Sequence, residues 1–239
     1  MGAGFIYWAV GWGFAYGDIE GHPPCAFIGA KNFFSTNLGD DFEEDYPAAW
    51  FFQMVFAATA STIVNGAVAE RVQFCAYLTY SLFITGFVYP VVSHWGWSGT
   101  GWLANPPESA GMPPGVGMQD FAGSGIVHCT GGIAALVAAA MMGPRIGRFD
   151  TENGKTKAFQ IPGHSVPFTV LGGFILFLGF LAFNGGTFFS NSRFFGCGLL
   201  KVIGEMVEMA GLFSKIIEKT YIIDLANFFI DINWSYLKA

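Results

Sequence analysis

From Pro47 to Ala69 the chain carries no formally charged residue, and the same is true from Phe121 to Pro144. An apolar run of about 20 residues is long enough, as a helix rising about 1.5 Å per residue, to cross the hydrocarbon of a bilayer. Three more runs share this character. Met1–Gly17 and Ser165–Ser192 hold no charged side chain, and Val72–Leu103 holds only His94 as an ionisable group, with Pro90 inside it. Strand alternation is absent, and runs of this length favour helices over barrel strands of about 10 residues. The expected fold is an all-α polytopic membrane protein with spans at about 1–17, 47–69, 73–94, 121–144 and 165–190.

Composition supports the reading. Hydrophobic residues make up 53% of the 239 residues and charged residues 12%. A soluble domain carries about 25% charged residues, so a water-facing surface of ordinary polarity is excluded. The 33 glycines suit close helix–helix approach in lipid. Cys25, Cys75, Cys129 and Cys197 are scattered, with no metal-ligand spacing, and read as packing residues.

Loop charges orient the spans. Asp18, Glu20, Asp40, Asp41, Glu43, Glu44 and Asp45 lie between the first two runs, against Lys31 alone. Glu108 and Asp120 precede the fourth run, whereas Arg71, Arg145, Arg148, Lys155 and Lys157 occupy the alternate loops. Basic loops stay in the cytoplasm, so the acidic loop faces outward and Met1 inward. The net charge of −6 comes mostly from that acidic loop and gives no reason to expect a nucleic-acid partner. No signal peptide is evident, and the start inside an apolar run points to a missing N-terminal segment. From Arg193 to Ala239, charges interrupt every window long enough to span. Leu212, Ile216, Ile217, Tyr221 and Ile222 suggest an amphipathic surface helix instead.

The most informative block is Asp120-Phe-Ala-Gly-Ser-Gly-Ile-Val-His128. Asp120 reads as a helix N-cap, and its charge also favours cations at an outer mouth. If the block is helical throughout, His128 lies about 12 Å deeper, where an ionisable ring marks a proton relay or a pore lining. Trp95, Trp97 and Trp102 gather near the outer end of the third span, as an interfacial belt or as cation–π partners. Phe51, Phe52, Phe56, Phe180 and Phe183 read as core packing. Asn184-Gly-Gly-Thr187 reads either as a polar site or as a helix terminus. No nucleotide-binding, zinc-protease or serine-hydrolase motif occurs, and no cofactor or resident metal is expected.

Three blocks together carry a resemblance: Asn65-Gly-Ala-Val-Ala-Glu-Arg71, Asp120 to His128, and Ala182-Phe-Asn-Gly-Gly-Thr187. In order and spacing over about residues 5–190 the chain resembles the ammonium transporter/methylammonium permease/Rhesus family, its ammonium-transporter branch above all. The resemblance implies a partial fold of about five of eleven transmembrane helices. It also implies ammonium or ammonia as substrate (methylammonium as analogue), a plasma-membrane bilayer and a homotrimer in the intact family. By the same resemblance, Trp97, Thr187 and Asp120 belong to an outer recruitment site, Phe56 and Phe183 to a phenyl gate, and His128 to a lumenal histidine pair. The second histidine of that pair lies in the half this chain does not match. The alternative is a truncated, non-conducting subunit or regulator of a full-length transporter. An intramembrane enzyme is disfavoured because no nucleophile accompanies the one Asp–His pair.

Overall fold

The computed structural model describes residues 2–17, 25–36, 46–106, 116–152 and 155–191. The expected tail helix after Arg193, most of the acidic loop, His22 and Cys197 lie outside the described residues. Three helices are long and apolar enough to cross a membrane: Ala49–Val68, Phe74–Trp97 and Ser124–Met142. This is an integral membrane protein.

Two compact units divide the chain, at Met1–Met142 and Gly143–Ala239. In the first unit, helix α1 comprises Gly2–Ile6, a wide π turn at Tyr7–Gly11, and Trp12–Tyr16. Helix α2 is Tyr46–Val68. Helix α3 comprises Phe74–Phe83, a π turn at Ile84–Val88, and Tyr89–Trp97. The π turn sits immediately before Pro90, whose ring would strike the carbonyl of Gly86 in a regular α-helix, so widening the ladder accommodates it. Helix α4 opens with a π turn at Ser124–Cys129 and continues as Thr130–Met142.

Small residues bring the helices together. A Cβ added at Gly131 of α4 would lie 2.8 Å from the Ala60 carbonyl and 2.9 Å from Cβ of Ile63 on α2. Gly131, Ala135 and Ala139 recur every four residues and are all buried, as are Ala57, Ala60 and Val64 of α2. Gly86 does the same for α3 against α1, where an added Cβ would meet Ile6 Cγ1 at 2.7 Å. Water drives no association inside lipid, so this close backbone approach and the few interhelical hydrogen bonds supply the packing energy. Those bonds include Ser61 Oγ to Ser81 Oγ at 2.8 Å and Tyr16 OH with Ser93 Oγ at 2.9 Å. The outward faces stay apolar, as the exposed Phe51, Phe74, Ile133, Val137 and Met141 illustrate.

In the second unit, strands β1 (Phe149–Glu152) and β2 (Lys155–Ala158) form an antiparallel hairpin with Phe149 opposite Ala158. This small sheet departs from the purely helical expectation. It lies in the charged segment after α4, where alternating Thr, Lys and acidic residues give a two-sided polar ribbon. Arg148 closes it, donating from Nη1 to the Phe159 carbonyl at 2.7 Å. Helix α5 is Val166–Asn191.

Candidate functional site

The fourth helix begins later than the sequence suggests. Gly123 takes φ +93°, a backbone conformation that L side chains rarely adopt, and the helix starts at Ser124. An added Cβ at Gly123 would also lie 2.5 Å from Val127 Cγ2 and 3.3 Å from Trp97 Cη2. Only glycine fits this bend. Because residues 121–123 turn rather than climb, a helix running straight from Asp120 is corrected. His128 lies four residues beyond the helix start, so a depth counted on regular helix from Asp120 does not apply.

The bend folds the Asp120 carboxylate over the helix end. Its Oδ1 accepts from the backbone N–H of Gly123 at 2.8 Å and of Ser124 at 2.9 Å, and from Ser124 Oγ at 3.3 Å. Its Oδ2 accepts from the N–H of Gly125 at 2.9 Å and of Ile126 at 2.7 Å. Four backbone donors at a helix start have no intrahelical partner, and here one buried side chain satisfies all four. The negative charge also lies at the positive end of the helix dipole. Both oxygens are thereby occupied.

The backbone of Asp120 does separate work, its carbonyl accepting the Trp97 indole N–H at 2.7 Å. That bond fixes the ring of the last residue of α3. The Trp97 ring meets Phe56 of α2 edge-on, with centroids 5.2 Å apart, and Phe56 meets Phe52 edge-on at 4.7 Å. Phe56 is buried, and Trp97 is partly exposed. Helices α2 and α3 therefore meet in one aromatic cluster, tied through Trp97 to the residue whose carboxylate caps α4.

His128 lies in the π turn of α4, where its backbone N–H donates to the Gly123 carbonyl at 2.8 Å, five residues back. The wide turn changes the direction in which residue 128 projects relative to an ordinary helix. Its side chain is half-buried. Elsewhere, the Trp95 and Trp102 rings meet at a tilt with centroids 5.7 Å apart, and the Trp95 indole donates to the Phe27 carbonyl at 2.9 Å.

Phe183 and Thr187 belong to the second unit and are described on α5 alone. The Thr187 hydroxyl donates to the Phe183 carbonyl one turn earlier at 2.9 Å, and Phe183 contacts Phe180 at 5.9 Å. Asn184-Gly-Gly-Thr187 does not end the helix, which continues to Asn191. The helix runs on through both glycines despite their poor helix propensity. The resemblance assigned Trp97 and Asp120 to a recruitment site and Phe56 to a gate; the structure brings Trp97 into contact with both the Asp120 carbonyl and the Phe56 ring, and sequence reading missed Gly123 as the bend beside them. The Asp-x-x-Gly spacing was the available signal.

Residues 1–195 match the Ammonium Transporter Family. The chain belongs to that family. Ammonium transporter 1 member 2 of Oryza sativa subsp. japonica is 46% identical over 191 residues, covering 80% of this chain and 37% of the relative. Ammonium transporter 1 member 1 of the same rice is 40% identical over 239 residues, covering 93% of this chain and 46% of the relative, so that alignment extends past Arg193. Among solved structures, the Sensor Amt Protein is similar at TM-score 0.62 and 36% identity, over 77% of this chain and 43% of that one. Mep2 of Saccharomyces cerevisiae is similar at TM-score 0.57 and 27% identity, over 78% and 38%. The family chain thus spans less than half the length of these relatives.

Proposed function

We propose that this chain forms the outer recruitment site and upper lumen of an ammonium conduction path in a plasma-membrane transporter. The observation that carries the reading is the Asp120 cradle holding Trp97 against Phe56. A partly exposed indole face beside a fixed negative charge attracts a small cation by the ring quadrupole, worth about 0.5–2 kcal/mol, and by the longer-range field of the carboxylate. Asp120 acts through charge and positioning, because both its oxygens are filled by backbone donors. It is not a direct ligand of ammonium in this arrangement.

Below the mouth the energetics change. A cation near the bilayer centre costs about 2.5–3.5 kcal/mol even on lenient scales, whereas neutral ammonia avoids that cost. The ammonium ion therefore gives up one proton to the imidazole of His128, the first base below the Phe56 gate, and continues through the lumen as neutral ammonia. Family resemblance assigns Phe183 to the gate, Thr187 to the recruitment hydroxyl and a second lumenal histidine to the remainder of the fold. By that resemblance the intact transporter is a homotrimer.

The test is uptake of labelled methylammonium in ammonium-transport-deficient cells. It compares the chain alone with the chain fused in frame to the part of rice ammonium transporter 1 member 1 that lies beyond the aligned span. The fusion is expected to transport, and His128→Ala to abolish or alter its proton-coupled current. An unchanged current in that variant would sink the role of His128. Co-purification with an intact transporter, without uptake by the fusion, would instead favour a non-conducting partner subunit.

A further inference from the structure

His94 plays no part in the conduction path proposed above, yet it is fully buried at the outer end of α3. Its Nδ1 lies 2.8 Å from the carbonyl oxygen of Ala15, near the end of α1. Its Nε2 lies 2.7 Å from the carbonyl oxygen of Cys25, in the outer loop. A carbonyl only accepts, so each bond takes its hydrogen from the ring: a ring protonated on both nitrogens makes both bonds, and a neutral ring makes one. The Thr100 hydroxyl stands 3.5 Å from Nε2, at the limit of a hydrogen bond.

The loop carbonyl at Cys25 is the first of three in a row that the outer end of α3 and its following turn capture. The Ala26 carbonyl accepts the Trp102 N–H at 3.2 Å, and the Phe27 carbonyl accepts the Trp95 indole at 2.9 Å. The Phe27 ring packs on Trp95 at 5.1 Å. A segment of chain with three successive carbonyls bonded to one rim is held in one place, and its buried member is His94. Trp97 follows on the same helix one turn later, so the residue that anchors the loop and the residue that faces the mouth share a helix end.

We infer that His94 is a positioning residue, clasping the outer-loop segment Cys25–Phe27 to the end of α3 and so setting the rim on which Trp97 stands. The inference rests on the reading of Trp97 as a recruitment residue only for its functional consequence. The clasp itself stands on hydrogen bonds alone.

The experiment uses the full chain in lipid nanodiscs, with Cys75, Cys129 and Cys197 replaced by Ser and a nitroxide on Cys25. Electron paramagnetic resonance reads the mobility of that label. The Trp97 indole N–H resonance, assigned by its loss in Trp97→Phe, reads the rim. Slow label motion is expected in the parent. His94→Ala should give a mobile label and a shifted Trp97 resonance, and His94→Gln, which retains one amide donor, an intermediate result. Tyr16→Phe, which breaks the neighbouring bond to Ser93, should leave both readouts unchanged.

An unchanged label in His94→Ala overturns the clasp. A mobile label with an unshifted Trp97 resonance overturns the positioning of the rim. Loss of folding in both His94 variants, seen by helical circular dichroism, also overturns it in favour of a purely structural role. Failure of the transport reading would appear separately, as absent methylammonium uptake by the unmodified fusion.

Discussion

Asp120 shows how a single residue can do two jobs, one with its side chain and one with its backbone. Its carboxylate ends a helix and its carbonyl aims an indole, so substitutions separate the two. Asp120→Asn retains one acceptor oxygen but presents an amide NH2 to backbone N–H groups that need acceptors. Leaving such buried donors unpaired costs about 1–3 kcal/mol, and the thermal midpoint in detergent should fall accordingly. Trp97→Phe keeps a ring and removes the bond to the Asp120 carbonyl. In the rice fusion it should raise the apparent KM for methylammonium with little change in maximal rate, whereas Trp97→Leu should depress both. Gly123→Ala is expected to destabilise by about 1–2 kcal/mol from the positive φ alone, with the Val127 clash added, measured by the same thermal scan. At this scale the sequence was legible for residue types and not for their partners. The Asp120 charge announced a cap, but nothing in the linear order says that its carbonyl meets an indole 23 residues earlier.

At the scale of elements, hydropathy located the long helices because each must satisfy its own backbone in lipid, and an uncharged run leaves few other choices. Their local irregularities were less visible. Pro90 signals an interruption, and the π turn before it is the physical answer. The π turn at Ser124–Cys129 has no proline to announce it and follows from the Gly123 bend and the carboxylate above it. The α2–α4 seam gives the clearest test. Gly131→Leu must push apart backbones that leave 2.8 Å for a Cβ, and overpacking of this kind costs about 1–3 kcal/mol. Ile133→Ala, on the exposed face of the same helix, should change stability by no more than about 0.5 kcal/mol. Comparable losses at both positions would show that the seam does not organise the unit. The charged hairpin at 149–158 escaped a reading tuned to long apolar runs, since its strands are only four residues each.

For the molecule as a whole, family membership and partial length must be taken together. The chain spans 37% and 46% of two rice relatives, and under the proposed reading it would supply the mouth, the Phe56 side of the gate and one lumenal histidine. Complete conduction by the proposed mechanism requires the elements those relatives have beyond this span. Co-expression with the missing half as a separate polypeptide should therefore restore some methylammonium uptake, and His128→Ala should remove what is restored. Equal uptake with and without that half would contradict the division of the path.

The sequence by itself determined that the chain lives in a membrane and which family it resembles, and its loop charges set the expected alternation of the spans. These are properties of composition, charge placement and short motifs, which act locally or through the bilayer. Only the tertiary structure decided that Gly123 bends the chain and that Asp120 turns inward to the helix end. It also decided that Trp97 leans on Phe56 and that His94 holds a loop from nearly 70 residues away. Those outcomes depend on where carbonyls and rings arrive after the helices pack, and packing distances are not written in the order of residues.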